Sequence, residues 1–469
     1  MNARKLTFLL VGTLSILLNG CGGGYSGMQS PPGMNPQNTA VTVTLRDTPP
    51  AGVTVLALEL TVNGAVLNPG NYQLVTKPVQ IEVKQLETDA AFLSTAGVPP
   101  GTYQSITVNL TNPELTILNQ SGAAIGTCAN NSVCEIKPAA AGNVIFSGPP
   151  FPITIQSGAP VGFQVDVNVA NLVTNSLGLD FNAAGTVTLT QLPLPGRPID
   201  HLDDLDDLIG VVLNLDATAK TFTLHTTNGD FPVQTGSNTE FEFESCAANN
   251  FSCLQNNIVV QVDVDVMAGG AMVAKKIEFE DDTADDELVG AVFKIDDATH
   301  FEMVVLGELR SVNNVSLGNP IIVTLNSPTF EVKPDGLNVP SSLLNAFTSA
   351  TDTSDLIPGE VVEIRPTAPA GAGPPISVTA NRVRLRMSQL TATVSGAPAP
   401  PNFVVGTLPG LFTSAGIASI NVQTSSATDF EGVAGVSGLV DQNVVSIRGL
   451  LFKNGANPPV LLAAKVRKR

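Results

Sequence analysis

The chain has no tryptophan, three tyrosines, three histidines and five cysteines among its 469 residues. Each shortage removes a class of chemistry. Sugar-binding clefts lay flat aromatic faces against the apolar side of a pyranose, and only Tyr25, Tyr72 and Tyr103 offer one beside phenylalanine. His201, His225 and His300 stand apart without ligand spacing, which leaves no zinc pattern and few histidine candidates for a general base. Basic residues are scarce too. The 23 lysines and arginines face 41 carboxylates, for a net charge of −18, and such a surface repels phosphate backbones. No nucleic-acid partner, metal or cofactor is expected. There is no Gly-x-Ser-x-Gly elbow, His-Glu-x-x-His pair or phosphate loop, so the chain reads as non-catalytic. A hydrolase built on two carboxylates is the weaker alternative, since the separation it needs is spatial rather than sequential.

Long hydrophobic runs are also missing, with one short exception. Arg4-Lys5 precedes an apolar stretch from Leu6 to Leu18, and Asn19-Gly20-Cys21 follows. A charged start, a short apolar centre and small residues before the cut make residues 1–20 a secretory signal peptide rather than a membrane span. Leu18-Asn19-Gly20-Cys21 resembles a lipobox, which makes Cys21 the expected lipidation site. Acyl chains such as palmitate stabilise membrane attachment by ~0.8 kcal/mol per buried methylene, so two or three anchor a protein without any transmembrane helix. Gly22 after the cysteine, rather than aspartate, directs the expectation to the outer membrane, facing either the periplasm or the surface. Residues 21–40 then read as a flexible Gly/Pro/Asn tether.

Valine, threonine, glycine, proline and asparagine are abundant, a mix that favours short strands and tight turns. All-β is the expected class: an N-terminal β-sandwich followed by three small tandem β-barrel-like domains. Most of the 20 phenylalanines sit on strand patterns and read as core. The four remaining cysteines form two local pairs, Cys128 with Cys134 and Cys246 with Cys253. In an oxidising compartment each pair is expected to close a loop disulfide contributing roughly 2–3 kcal/mol.

Residues 41–192 alternate apolar and polar positions, as in Ile106-Thr107-Val108-Asn109-Leu110 and Phe163-Gln164-Val165-Asp166-Val167. Leu45-Arg46-Asp47-Thr48-Pro49, the turn Val98-Pro99-Pro100-Gly101-Thr102-Tyr103, Gly178-Leu179-Asp180-Phe181 and the strand Thr186–Gln191 together resemble a family of secreted bacterial domains, domain of unknown function 4382. The resemblance implies an extracytoplasmic, lipid-anchored location and no assigned chemistry.

Residues 193–207 form an acidic, proline-containing linker. Beyond it four elements recur in one order. They include Thr239-Glu240-Phe241-Glu242, Thr329-Phe330-Glu331 and Thr428-Asp429-Phe430-Glu431, and later Val259-Val260-Gln261, Val361-Val362-Glu363 and Val444-Val445-Ser446. The last element recurs around Ile277, Val383 and Val466, at spacings beyond the 20–50 residues of solenoid repeats. Three tandem domains are expected at residues 208–280, 288–386 and 403–469, the third opening weakly because Pro409-Gly410 interrupts it. Each resembles domain of unknown function 5666, a small barrel-like domain of exported bacterial proteins.

The acidic runs Asp203–Asp207 and Glu280–Glu287 lack the spacing and glycine of a calcium loop and read as solvated junctions. Tyr103 is expected to bond backbone at a sandwich edge. Lys465–Arg469 reads as the last strand and tail. The expected function is a lipid-anchored envelope protein acting as a binding, adhesive or scaffolding module, with an envelope protein or glycan as partner. A glycan-binding accessory role is the alternative. Separate folding units are expected, with few contacts crossing their junctions.

Overall fold

The computed structural model describes residues 39–48, 54–192 and 208–469, apart from 89–90, 139–141, 160, 175–176, 227–228, 244–245, 267–271, 282–286, 309–314, 335, 372 and 374. Cys21 and the acidic linker 193–207 lie outside the described residues. The fold is nearly all β, as the composition implies.

Two sheets make the N-terminal sandwich. In one, Thr39–Thr48 runs parallel to Val161–Asn168 and antiparallel to Ala91–Val98, with Val187–Leu192 on the far side of Val161–Asn168. In the other, the long strands Thr54–Asn68 and Ser105–Leu118 pair along their length. Tyr72–Val75 and Val79–Glu82 add to one side, Val133–Ile136 and Gly142–Phe146 to the other. The period-two pattern decides which face is buried. Ile106, Val108 and Leu110 point inward and pack with Leu58, Leu60, Phe163, Val165 and Val167 in one core. At the Pro-Pro-Gly turn, Tyr103 donates its hydroxyl to Pro99 O at 2.6 Å. Burial pushes the phenol pKa up.

Two closed five-stranded barrels follow. The first uses Leu208–Asp216, Thr221–Thr226, Gly229–Glu242, Val259–Val266 and Met272–Asp281; the second uses Leu288–Ile295, His300–Glu308, Pro320–Val332, Val361–Pro366 and Ile376–Arg386. Both have the order first, second, third, fifth, fourth, closed by pairing of fourth with first. The third and fifth strands run parallel, and the other pairs are antiparallel. This is the Greek-key barrel of an OB-fold, an architecture that hosts many unrelated functions. Closure bends each first strand tightly over the second. A Cβ at Gly210 would lie 2.5 Å from His225 O, and one at Gly290 2.5 Å from Val304 O. Only glycine admits that approach.

The third repeat opens earlier than the sequence implied. Its first strand is Ser388–Val394, which pairs with Asn402–Gly406 and with Val444–Asn454. The break at Pro409-Gly410 falls after the second strand, at the start of the short helix Gly410–Ser414. Ile420–Gln423 and Asp429–Glu431 both run parallel to Asn457–Lys468, so the sheet returns on itself in the same strand order. The repeated threonine-to-glutamate element has one job in all three units. Thr239, Thr329 and Thr428 donate hydroxyls to fifth-strand carbonyls at Ala274, Asn381 and Ala463. Glu242, Glu331 and Glu431 pair with the fifth-strand cations Lys276, Arg384 and Arg467.

The units do not stand apart. Leu450, Phe452, Val460 and Leu462 of the third repeat share the core of the second barrel, where the Phe347 and Phe452 rings meet edge-on at 6.3 Å. Leu56 and Ala57 of the sandwich pack with Phe293, Val304 and Leu306 of the second barrel and Leu411 of the third repeat. Val444–Asn454 is largely buried along both faces. A strand pattern shows which residues are apolar, not that both faces are covered.

Candidate binding cleft

Where sandwich, second barrel and third repeat meet, they leave a cleft of about 1180 Å³. The sandwich contributes Leu118, Gln120, Asn131, Ser132, Val133 and Glu135. The second barrel faces them with Phe293, Lys294, Ile295, Glu302, Asn319 and Pro320–Ile322, together with Pro358, Pro375 and Ile376. Ser414 and Ala415 close it from the third repeat.

Its walls are held by bonds that cross domain boundaries. Thr116 donates to Gly318 O at 2.6 Å, and Asn319 Nδ2 donates to Glu135 Oε2 at 2.9 Å. Gln120 accepts from Thr54 and donates to Gly410 O at 2.9 Å. The Asn131 rim is tied by local bonds. Cys128 and Cys134 are disulfide-bonded with Cα atoms 5.7 Å apart, and the Asn119 amide donates to the carbonyls of Ala123, Cys128 and Ala129. The second pair, Cys246–Cys253, closes a loop of the first barrel with Cα atoms 5.8 Å apart.

Charge in the cleft is already engaged. Lys294 bonds Asp296 and Glu302, each at 2.6 Å, and those carboxylates hold its pKa up. Glu135 accepts from Asn319 and lies 3.5 Å from Lys137, which bonds Glu114 at 2.8 Å. Phe293, the aromatic residue of the wall, is only 7% exposed, so the cleft offers amides, hydroxyls and aliphatic surface rather than a sugar platform.

Among the described residues, buried charge also gathers outside the cleft, in two domain junctions. At the junction of the first two barrels, Arg382 pairs with Glu287 and Glu363, while Arg384 pairs with Glu280, Glu331 and Glu363. Arg386 donates to Gln261 of the first barrel at 3.2 Å, and Lys333 pairs with Glu280. Burial and the Glu363 charge push Glu287 up to about 7 against the pull of the arginines. Glu280 and Glu287 are therefore buried partners of an arginine ladder, which corrects the solvated reading of that acidic run. The alternating arginines at Arg382, Arg384 and Arg386 were the available signal: strand period two puts them on one face. Asp203–Asp207 and Asp282–Asp286 lie outside the described residues.

The other group joins the sandwich to the third repeat. Glu87, fully buried, pairs with Lys84 and accepts from Thr391, while Arg469 donates to the Glu87 carbonyl. The basic tail is thus part of an interface. Glu59, 5% exposed, is raised to about 6 by burial against the lowering bond from Gln80. His225 and His300 sit on the surface beside Asp230 and Asp297, neither among the residues that line the cleft, and His201 is outside the described residues. Among the described residues no group of three or more histidine, cysteine or acidic side chains is placed to hold a metal ion. No described helix is long and apolar enough to cross a membrane.

Comparison with known proteins finds matches to two parts of the chain. Residues 38–192 match the family model of Domain of unknown function (DUF4382), and residues 209–278 match that of Domain of unknown function (DUF5666). Their order along the chain is sandwich, then barrel, and the DUF5666 match coincides with the first barrel. No curated protein sequence matches the chain. Among solved structures, the Drosophila Unr CSD456 structure is 11% identical over 56% of this chain and 97% of its own, with a TM-score of 0.13. A Streptococcus pneumoniae TIGR4 multidomain protein with nucleic acid binding domains is 10% identical over 55% of this chain and 73% of its own, with a TM-score of 0.12. Neither superposition carries an argument about function.

Proposed function

We propose that the chain is a lipid-anchored, non-catalytic binding protein of the bacterial cell envelope, tethered through Cys21 and presenting the three-domain cleft to an envelope partner. The cleft carries the reading. Its walls come from three domains locked by buried contacts, and its charged groups are spent on one another rather than aimed at a reacting atom. A catalytic acid–base pair needs groups free to exchange protons with substrate. Glu302 instead holds Lys294, and Glu135 holds the Asn319 amide. Two cysteine pairs at bonding distance fit an oxidising compartment. The shortage of exposed aromatic faces favours a protein partner over a glycan.

The test is photo-crosslinking in intact cells. A photoreactive residue at Ser414, on the cleft wall, should capture a discrete envelope component, while the same residue at exposed Ser237 on the first barrel should not. Equal capture at both positions, or none at Ser414, would remove the cleft as the binding site. Separately, Cys21→Ser should move the protein from membrane to soluble fractions. Retention on membranes after a high-salt wash would refute the anchor.

A further inference from the structure

Val133–Ile136 lies at the edge of its sheet. Its one described strand partner is Ser105–Leu118, and the strand's own residues Val133 and Glu135 line the cleft. The hydrogen-bond parity of the pair can be read from one bond. Asn119 N donates to Ser132 O at 3.0 Å, in register with the pairing of Leu118 with Val133. Antiparallel pairs alternate between those that exchange backbone bonds and those that do not. Ile117 with Cys134 is therefore a bonded pair, and Leu118 with Val133 and Thr116 with Glu135 are not. The N–H and C=O groups of Val133 and Glu135 consequently point away from the sheet.

An edge of this kind is a template for another strand, and proteins usually blunt it with proline or projecting charge. No proline stands between Ser132 and Ile136, and the one charged side chain of the strand, Glu135, is held by Asn319; exposed Lys137, paired with Glu114, and Pro138 follow only after the strand has ended. All four residues of the strand are half-buried rather than sealed. The disulfide at Cys134 fixes the strand before any partner arrives, which lowers the ordering cost of binding.

We infer that the cleft takes an extended polypeptide, which adds as a strand to the outer edge of Val133–Ile136 and lays alternate side chains against the aliphatic wall of the second barrel. This deepens the binding role proposed above and rests on the cleft being the site. Main-chain bonds supply affinity in strand addition, and pockets for alternate side chains supply specificity. Ile322, Pro375 and Ile376 are among the apolar residues of that wall. The cleft exceeds the roughly 300–1,000 Å³ of small-molecule pockets, which suits a chain segment. With carboxylates at Glu135 and Glu302 against Lys294 alone, it favours neutral or basic segments over acidic ones.

A random dodecapeptide library displayed on phage, panned against the mature full-length chain, tests this. Enriched peptides should crosslink from a photoreactive residue at Ser414. Glu135→Pro removes one outward N–H without taking a bond from the neighbouring strand. Glu135→Ala loses the same carboxylate but keeps the N–H, so it is the reference for the proline variant, which should bind those peptides at least tenfold more weakly than it does. The melting temperature of the proline variant confirms its fold; should it unfold, Val133→Pro replaces it. Failure to enrich any cleft-crosslinking peptide, or equal binding by the proline and alanine variants, overturns strand addition. Envelope capture at Ser414 that survives the proline variant would leave the cleft as the site and remove only its peptide mode.

Discussion

Glu360 shows how little a local pattern says about a buried charge. Its carboxyl is fully buried, accepts from Ile357 N at 2.9 Å through one oxygen, and has no hydrogen-bond partner on the other. Burial raises its pKa well above the usual carboxylate range. The native state therefore holds its proton at pH values where the unfolded chain has released it, and the contribution of this group to stability falls as pH rises above about 4.5. Glu360→Gln removes that dependence. Its gain in melting temperature over the parent should grow from near zero at pH 4 to the equivalent of ~1–3 kcal/mol at pH 8, measured by calorimetry across pH. A constant difference across that range would show that Glu360 is ionised in the fold. At Tyr103 the sequence was more informative, because a tyrosine after a tight turn has a carbonyl within reach. Tyr103→Phe should cost about 1 kcal/mol in urea unfolding, and no loss would mean the 2.6 Å bond to Pro99 contributes nothing.

At the scale of elements, strand identity was legible and strand company was not. Period-two alternation marks Ser105–Leu118 and Val161–Asn168 because each has one face in the core. The recurring Val-Val-polar element marks the fourth strand of every barrel, since Val260, Val362 and Val445 are all buried there. Ser388–Val394 escaped because it follows Ile376–Arg386 with only Met387 between them, leaving no turn signal to divide two domains. The cleft could not be read at all: its walls come from segments far apart in the chain, and no local pattern joins them. First-strand glycine is the sharpest structural requirement of the barrels. Gly290→Val should unfold the second barrel or lower its stability by more than ~3 kcal/mol, because the new side chain meets backbone rather than a movable group. Near-parent stability by denaturant titration would mean that the first strand can straighten.

The whole molecule is where expectation and structure part most. Tandem repeats on a tether imply beads, yet the sandwich, second barrel and third repeat share apolar clusters and buried polar ties. The first barrel differs. Among the described residues it meets the second through Arg384, Arg386 and Lys333 against Glu280 and Gln261, a junction of charge. Buried ion pairs offset their own desolvation and add little net stability. The molecule should therefore behave as one three-domain body carrying a separable barrel. The cleft exists only if that body is fixed, so differential scanning calorimetry of the mature chain is the most direct test. We predict one transition for sandwich, second barrel and third repeat together, and a second, independent one for the first barrel. Glu87→Ala, at the sandwich–third repeat contact, should lower or split the large transition and leave the other unmoved. Four independent transitions, with none shifted by Glu87→Ala, would mean that the domains are beads and that the cleft is not a fixed site.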